Sequence, residues 1–268
     1  MPLFKVALAA SLRALFEKRR RIVLNSFPLL DDPNRITEAQ IAHLPAPVRR
    51  YLRIAGSVGR PRIQNLQLAF DAVMFRKPGA AGMPGPAEQF ERFDPPRRLF
   101  FMKTRMFGLP VSVLHDYDDA RANMTVRVAS LFDVVDLHGD EVARTETVTL
   151  LNDLCCFAPS WFLDPRLAFQ PLDDRHAEVT FTNGPHEVSA ILVFDEAGYL
   201  VNFVSEDRGA LQDDGTLKRF RWSTPLSEYR DFSGRRVATR GEAVWRYPEG
   251  DFVYGRFTLK DIQYDVRV

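Results

Sequence analysis

Val188-Ser-Ala-Ile-Leu-Val-Phe194, Tyr199 to Glu206, Leu217 to Trp222, Val237 to Tyr247 and Phe252 to Tyr264 are five runs of strand length, rich in β-branched and aromatic residues. Between and around them stand Asn183-Gly184, Ala197-Gly198, Asp214-Gly215, Ser233-Gly234 and Glu249-Gly250. Apolar runs cut at short intervals by such dipeptides predict hairpin-linked antiparallel strands. Val188 to Phe194 is apolar at most positions, which predicts a strand covered on both faces. A meander of this kind makes a wall that can hold something.

Upstream the pattern changes twice. Leu3 to Arg20 reads as a helix, and Thr37-Glu-Ala-Gln40 matches a capping box that starts a second. Pro47 opens a third, with Val48, Tyr51, Leu52 and Ala55 on one face and Gly56 past its end. From Ile63 strands begin: Ile63 to Phe75, Glu88 to Phe93, Leu99 to Met106, Val111 to Tyr117 and Ala122 to Leu131. Lys77 to Pro86, rich in Gly and Pro, reads as a loop without core-forming content. Val148, Leu151, Leu154, Cys155 and Ala158 recur at helical spacing, so Glu146 to Phe157 is a central helix that Pro159 ends.

Strands and helices do not alternate, which excludes a parallel α/β sheet. The expected class is α+β, mainly antiparallel β. A strongly curved sheet or half-open barrel of about 10–11 strands carries the N-terminal helices and the central helix on or in it. Residues 1–56 form a helical segment packed on a body of residues 57–268. A curved sheet with a helix over it leaves a cavity suited to a small molecule.

Composition sets outer bounds. The 268 residues include 21 Phe and are 46% hydrophobic, enough for a large core. No run approaches the roughly 20 apolar residues of a membrane-spanning helix. The formal net charge of +1 divides into +6 over residues 1–53 and −5 over the remainder. A basic arm on an acidic body suits an anionic membrane surface, contacted through residues 1–21; it equally suits a solvated helix end. Arg13 interrupts the apolar start, and the basic cluster follows it, unlike a secretory signal. The expected location is cytoplasmic, with membrane-peripheral attachment as the variant of it. The two cysteines, Cys155 and Cys156, are adjacent and expected to be free buried thiols.

A set of motifs resembles an uncharacterised bacterial domain family. They are Leu44-Pro-Ala-Pro-Val48 with Tyr51-Leu52, Phe107-Gly-Leu-Pro-Val111, Leu150-Leu-Asn-Asp153 with Pro159, Arg221-Trp-Ser-Thr-Pro225 with Tyr229, and Gly241-Glu-Ala-Val-Trp245. The resemblance spans roughly residues 40–268. It implies a fold similar to the lipoprotein carriers, in which a curved antiparallel sheet wraps helices around an apolar cavity. It implies no activity.

Chemistry-bearing motifs are few. His115-Asp-Tyr-Asp-Asp119 lacks the glycine and terminal glutamate of a calcium loop, and zinc needs more His or Cys beside it. It reads as a polar turn, as does Asp173-Asp-Arg-His176. No Gly-x-Ser-x-Gly elbow frames a serine, and Gly79 to Gly85 joins no strand to a helix as a phosphate loop does. Lys218 to Trp222 alternates bases and aromatics, but an acidic body offers nucleic acid few phosphate contacts. No catalytic residue, metal, cofactor or nucleic-acid partner is therefore expected.

What remains are charged and aromatic residues of the late strands. Trp222, Tyr229, Trp245 and Tyr254 are candidate cavity residues, with Arg208 as a cationic anchor for a carboxylate or phosphate head group, a task its planar fork suits. Cross-strand ion pairing and aromatic packing would use the same residues for the sheet alone. The sequence thus points to a noncatalytic module that binds an apolar or amphipathic molecule, lipid or acyl-chain-like. An enzyme with dispersed acid–base groups such as Glu206 or His115, and a membrane-peripheral scaffold, are the alternatives.

Overall fold

The computed structural model describes residues 11–31, 34–212 and 214–268. Helix α1 (Leu12–Ser26) starts where the Ser11 hydroxyl accepts the Ala14 amide at 3.1 Å. The first ten residues, where the expected helix from Leu3 would begin, lie outside the described residues. Helix α2 (Glu38–Ile41) carries the reciprocal cap read from Thr37 and Gln40. Helix α3 (Ala46–Ile54) turns Val48, Tyr51 and Leu52 inward.

Six strands then run back and forth: β1 (Asn65–Met74), β2 (Met83–Phe93), β3 (Pro96–Met106), β4 (Leu109–Asp118), β5 (Arg121–Val128) and β6 (Phe132–His138). Helix α4 (Asp140–Phe157) and a single 3₁₀ turn, Pro159–Leu163, follow. The second set is β7 (Leu167–Pro171), β8 (His176–Asn183), β9 (His186–Phe194), β10 (Leu200–Ser205), β11 (Gly209–Leu211), β12 (Leu217–Arg219), β13 (Arg221–Phe232), β14 (Arg235–Tyr247) and β15 (Gly250–Tyr264).

Thirteen of these strands form one antiparallel sheet in the order β6-β5-β4-β3-β2-β1-β15-β14-β13-β10-β9-β8-β7, and β11 and β12 make a separate ribbon. The two meanders meet in the middle, where β1 pairs with β15 from Leu66↔Tyr264 to Met74↔Gly255. Sheet twist curls so long an array. The class is thus mainly antiparallel β in a single curved sheet, with more strands than the 10–11 expected. The additions β6 and β7 are edge strands, largely exposed along their length, so they carry no alternating apolar signal.

Three local expectations are corrected. The expected loop at Lys77 to Pro86 ends early, because Met83-Pro-Gly-Pro86 already pairs with β1. Gly85 permits this: a Cβ there would lie 1.8 Å from the Lys103 carbonyl oxygen of the neighbouring strand. Leu217 to Trp222 is not one strand, since β12 belongs to the ribbon and β13 starts at Arg221. In β9, Val188, Ala190, Leu192 and Phe194 are buried while Ile191 is exposed, so only one face is covered. That is the ordinary state of an antiparallel strand with one solvated side.

The helices divide between the two faces of the sheet. On the outer face, Leu12, Phe16, Val23 and Leu24 of α1 pack on Phe90, Leu99, Phe101 and Leu114. Ion pairs of Arg13 with Glu88 at 2.5 Å and of Arg19 with Asp116 fasten this helix to the sheet, and Arg20 Nη1 donates to Gln67 Oε1 at 2.8 Å. Of the basic run 18–21, Lys18 and Arg21 remain exposed. On the inner face α4 is buried almost all round, from Val142 to Cys156 with Arg144 excepted. Tyr117 Oη and Thr147 Oγ1, 2.8 Å apart, tie β4 to α4, and Tyr51 Oη donates to the Cys155 carbonyl at 2.9 Å from α3. Both cysteines are free and buried, and burial pushes their thiols well above the usual range. Among the described residues no helix is long and apolar enough to cross a membrane.

Candidate ligand-binding cavity

Between the inner face of the sheet and α4 lies a cavity of about 760 Å³, within the range of small-molecule sites. Its apolar wall includes Phe70, Phe100, Phe157 and Phe257. All five methionines beyond Met1 line it: Met74, Met83, Met102, Met106 and Met124. Unbranched and polarisable, methionine adapts its shape to what it touches. Val134 both lines the cavity and is exposed, so the cavity reaches the surface beside the β5–β6 hairpin.

A second wall holds one arginine among aromatics. Trp222 of β13 and Trp245 of β14 are direct cross-strand partners, and Trp245 stacks on Tyr254 of β15 with ring centres 5.8 Å apart. Register and stacking put all three on the inner face, against the cavity. Arg208, between β10 and β11, places its guanidinium 4.5 Å from the Trp222 ring centre and 5.2 Å from that of Trp245. Its Nε donates to Thr149 Oγ1 at 3.2 Å and its Nη1 to Tyr254 Oη at 3.0 Å.

A third wall is ionic. Arg98 of β3 donates from Nε to Asp153 Oδ2 at 2.6 Å, from Nη1 to Glu146 Oε2 at 3.1 Å, and from Nη2 to Gln89 Oε1 at 3.1 Å. Glu91 Oε1 is 3.4 Å from Arg98 Nε and accepts from Gln89 at 2.6 Å. His115 Nδ1 is 3.0 Å from Glu146 Oε1. Burial would raise the Glu146 carboxyl, but His115 and Arg98 overcome it and hold the group down to about 2. Glu91 moves the other way: burial, then the like charge of Asp153, push it well above the usual carboxylate range. A proton on Glu91 turns that repulsion into a hydrogen bond.

Four of the residues singled out in the sequence, Arg208, Trp222, Trp245 and Tyr254, thus meet at this cavity. Tyr229 does not line it. Its ring packs on Tyr199 with centres 4.6 Å apart, and its hydroxyl donates to the Leu200 carbonyl at 2.7 Å. Glu206 is at the surface, 3.8 Å from Arg221, and His176 bonds Asp173 in an exposed turn. The motif at 115–119 splits: His115 and Tyr117 face α4, while Asp116 pairs with Arg19 on the outer side. Among the described residues no three His, Cys, Asp or Glu side chains gather as a metal site would require.

The ionic wall escaped the sequence reading. Its one local signal is Glu146, Thr149 and Asp153, a polar stripe at i, i+3 and i+7 of a helix whose Val148, Leu151 and Leu154 mark the apolar face. Gln89 and Glu91, at alternate positions of β2, share the strand face that meets this stripe, and Gln89 Nε2 donates to Asp153 Oδ2 at 3.0 Å.

The sequence profile of a family of unknown function (DUF6544) matches residues 34–257, close to the stretch over which the motifs are spread. The chain belongs to DUF6544. None of the curated proteins matches it. Among solved structures, the family member is similar to a LolA superfamily protein from Nitrosomonas europaea, at 9% identity and a TM-score of 0.44, over 81% of this chain and 91% of that one. It is also similar to a domain from Vibrio parahaemolyticus named for outer-membrane lipoprotein sorting, at 9% identity and a TM-score of 0.39, over 76% and 87% of the two chains.

Proposed function

We propose that this chain is a noncatalytic binding module that holds an apolar or amphipathic small molecule, lipid or acyl-chain-like, between its sheet and α4. The observation that carries the reading is the cavity of about 760 Å³ with its phenylalanine and methionine wall. A concave, mostly apolar space of this size matches the clefts that take small molecules. Its buried charged groups gather at Arg208 and at Arg98, as in sites where a few placed polar groups orient a mostly apolar ligand. Of the acid–base alternative's two candidates, Glu206 is solvent-exposed and His115 is bonded to Glu146.

Native mass spectrometry of the purified chain is expected to reveal a co-purifying amphiphile. After its removal, acyl chains brominated near the middle should quench Trp222 and Trp245 emission saturably, at one chain per protein. Absence of both a bound amphiphile and saturable quenching would sink the proposal.

A further inference from the structure

Arg208 is a buried cation without a counterion. It is 8% exposed, and among the described residues no carboxylate lies within 4.0 Å of its guanidinium. Taking an ion out of water costs several kcal/mol, and arginine cannot escape by losing its proton. Arg98, in the same cavity, meets that cost with Asp153 and Glu146. The cavity's remaining acids are engaged elsewhere. Glu146 feels the charge of Arg208, but its two oxygens are taken by His115 and Arg98. Glu242 pairs with Arg256 at 2.9 Å.

Two donors converge there unspent. Arg208 uses Nε and Nη1, leaving Nη2 without a hydrogen-bond acceptor among the described residues. Tyr254 Oη accepts from Arg208 Nη1 and from Trp222 Nε1 at 3.2 Å, so its own proton also lacks an acceptor there. The guanidinium is nonetheless held firmly by two indole faces, a threonine and a tyrosine. A fixed, desolvated cation beside a free hydroxyl donor is a receptor for an oxyanion.

We propose, building on the cavity reading above, that the bound molecule is an anionic single-chain amphiphile whose oxyacid head group accepts from Arg208 Nη2 and the Tyr254 hydroxyl while its chain lies along Phe70, Met74, Met102 and Phe257. Carboxylate and phosphate monoester heads share this chemistry. A neutral head of equal chain length leaves the cation unpaired and binds more weakly.

The test uses the full chain, delipidated, and the quenching of Trp222 and Trp245 by three brominated sixteen-carbon probes: the carboxylate, the alkyl phosphate and the alcohol. At least one anion should bind about 10- to 100-fold tighter than the alcohol, the range of a charge-assisted hydrogen bond; the tighter of the two names the head group. Arg208→Met should erase that preference and leave alcohol binding within about threefold. Tyr254→Phe keeps the ring stacked on Trp245 and should weaken the anions several-fold without touching the alcohol. It decides the matter where Arg208→Met does not fold. Equal affinity for anions and alcohol in the native chain, or an anion preference that survives both substitutions, overturns the inference while leaving the cavity reading intact. No binding by any probe removes both.

Discussion

Arg98 shows most directly what a single side chain contributes. It neutralises Glu146 and Asp153 of α4 in a place where water cannot, so its removal leaves buried charge behind. Arg98→Met is expected to cost about 3–5 kcal/mol, as breaking a buried pair from one side does, read as a lower midpoint in urea unfolding. The same cluster sets two opposite pH dependences. Glu146 sits at about 2, below its ordinary 4.5, so its contribution is complete above about pH 4.5 and is lost as pH falls toward 2. Glu91 is raised above 4.5, so its contribution is complete below that value and is lost as pH rises through the raised one. Glu91→Gln should therefore flatten the decline in urea midpoint between pH 5 and pH 8. An unaltered slope would show that Glu91 is not the group responsible.

At the scale of elements, Gly85 decides whether β2 can lie beside β3. With a Cβ 1.8 Å from the Lys103 carbonyl, Gly85→Ala must push two backbones apart, a strain typically worth about 1–3 kcal/mol. Gly241→Ala is the comparison, since a Cβ there meets Leu226 at an ordinary 3.5 Å. Thermal melts should separate the two variants by several degrees, with Gly85→Ala the lower. The same glycine explains why this segment reads as a loop: Gly and Pro report local backbone freedom, while the close approach that demands glycine is made by Lys103, eighteen residues away. The hairpins with regular alternation were legible because their signal is local, whereas the register that sets Trp222 opposite Trp245 and brings Tyr254 beside them belongs to the assembled sheet. Tyr229 shares β13 with Trp222 but lies farther along the curve, over Tyr199, and curvature has no sequence period. Nor has the meeting of β2, β3, β4 and α4 at Arg98, which only the packed molecule creates. The edge strands β6 and β7 bury too little to announce themselves.

Across the whole molecule, one seam joins two six- and seven-strand meanders. With β15 between β1 and β14, neither half has an open inner edge. A chain stopped at residue 249 should expose two unpaired edges and fail to give a cooperative, soluble monomer by calorimetry and size-exclusion chromatography. A sharp melt from that fragment would show that the halves are independently stable. The seam also has a consequence in time. A ribosome adding about 5–20 residues per second needs on the order of 10–35 s to pass from the end of β1 to the start of β15. Throughout that interval β1 has emerged without its outer partner, its amide and carbonyl groups open to any passing strand. The nascent chain therefore depends on whatever shields that edge, and codon changes that slow synthesis between residues 75 and 249 should lower its soluble yield without altering one amino acid.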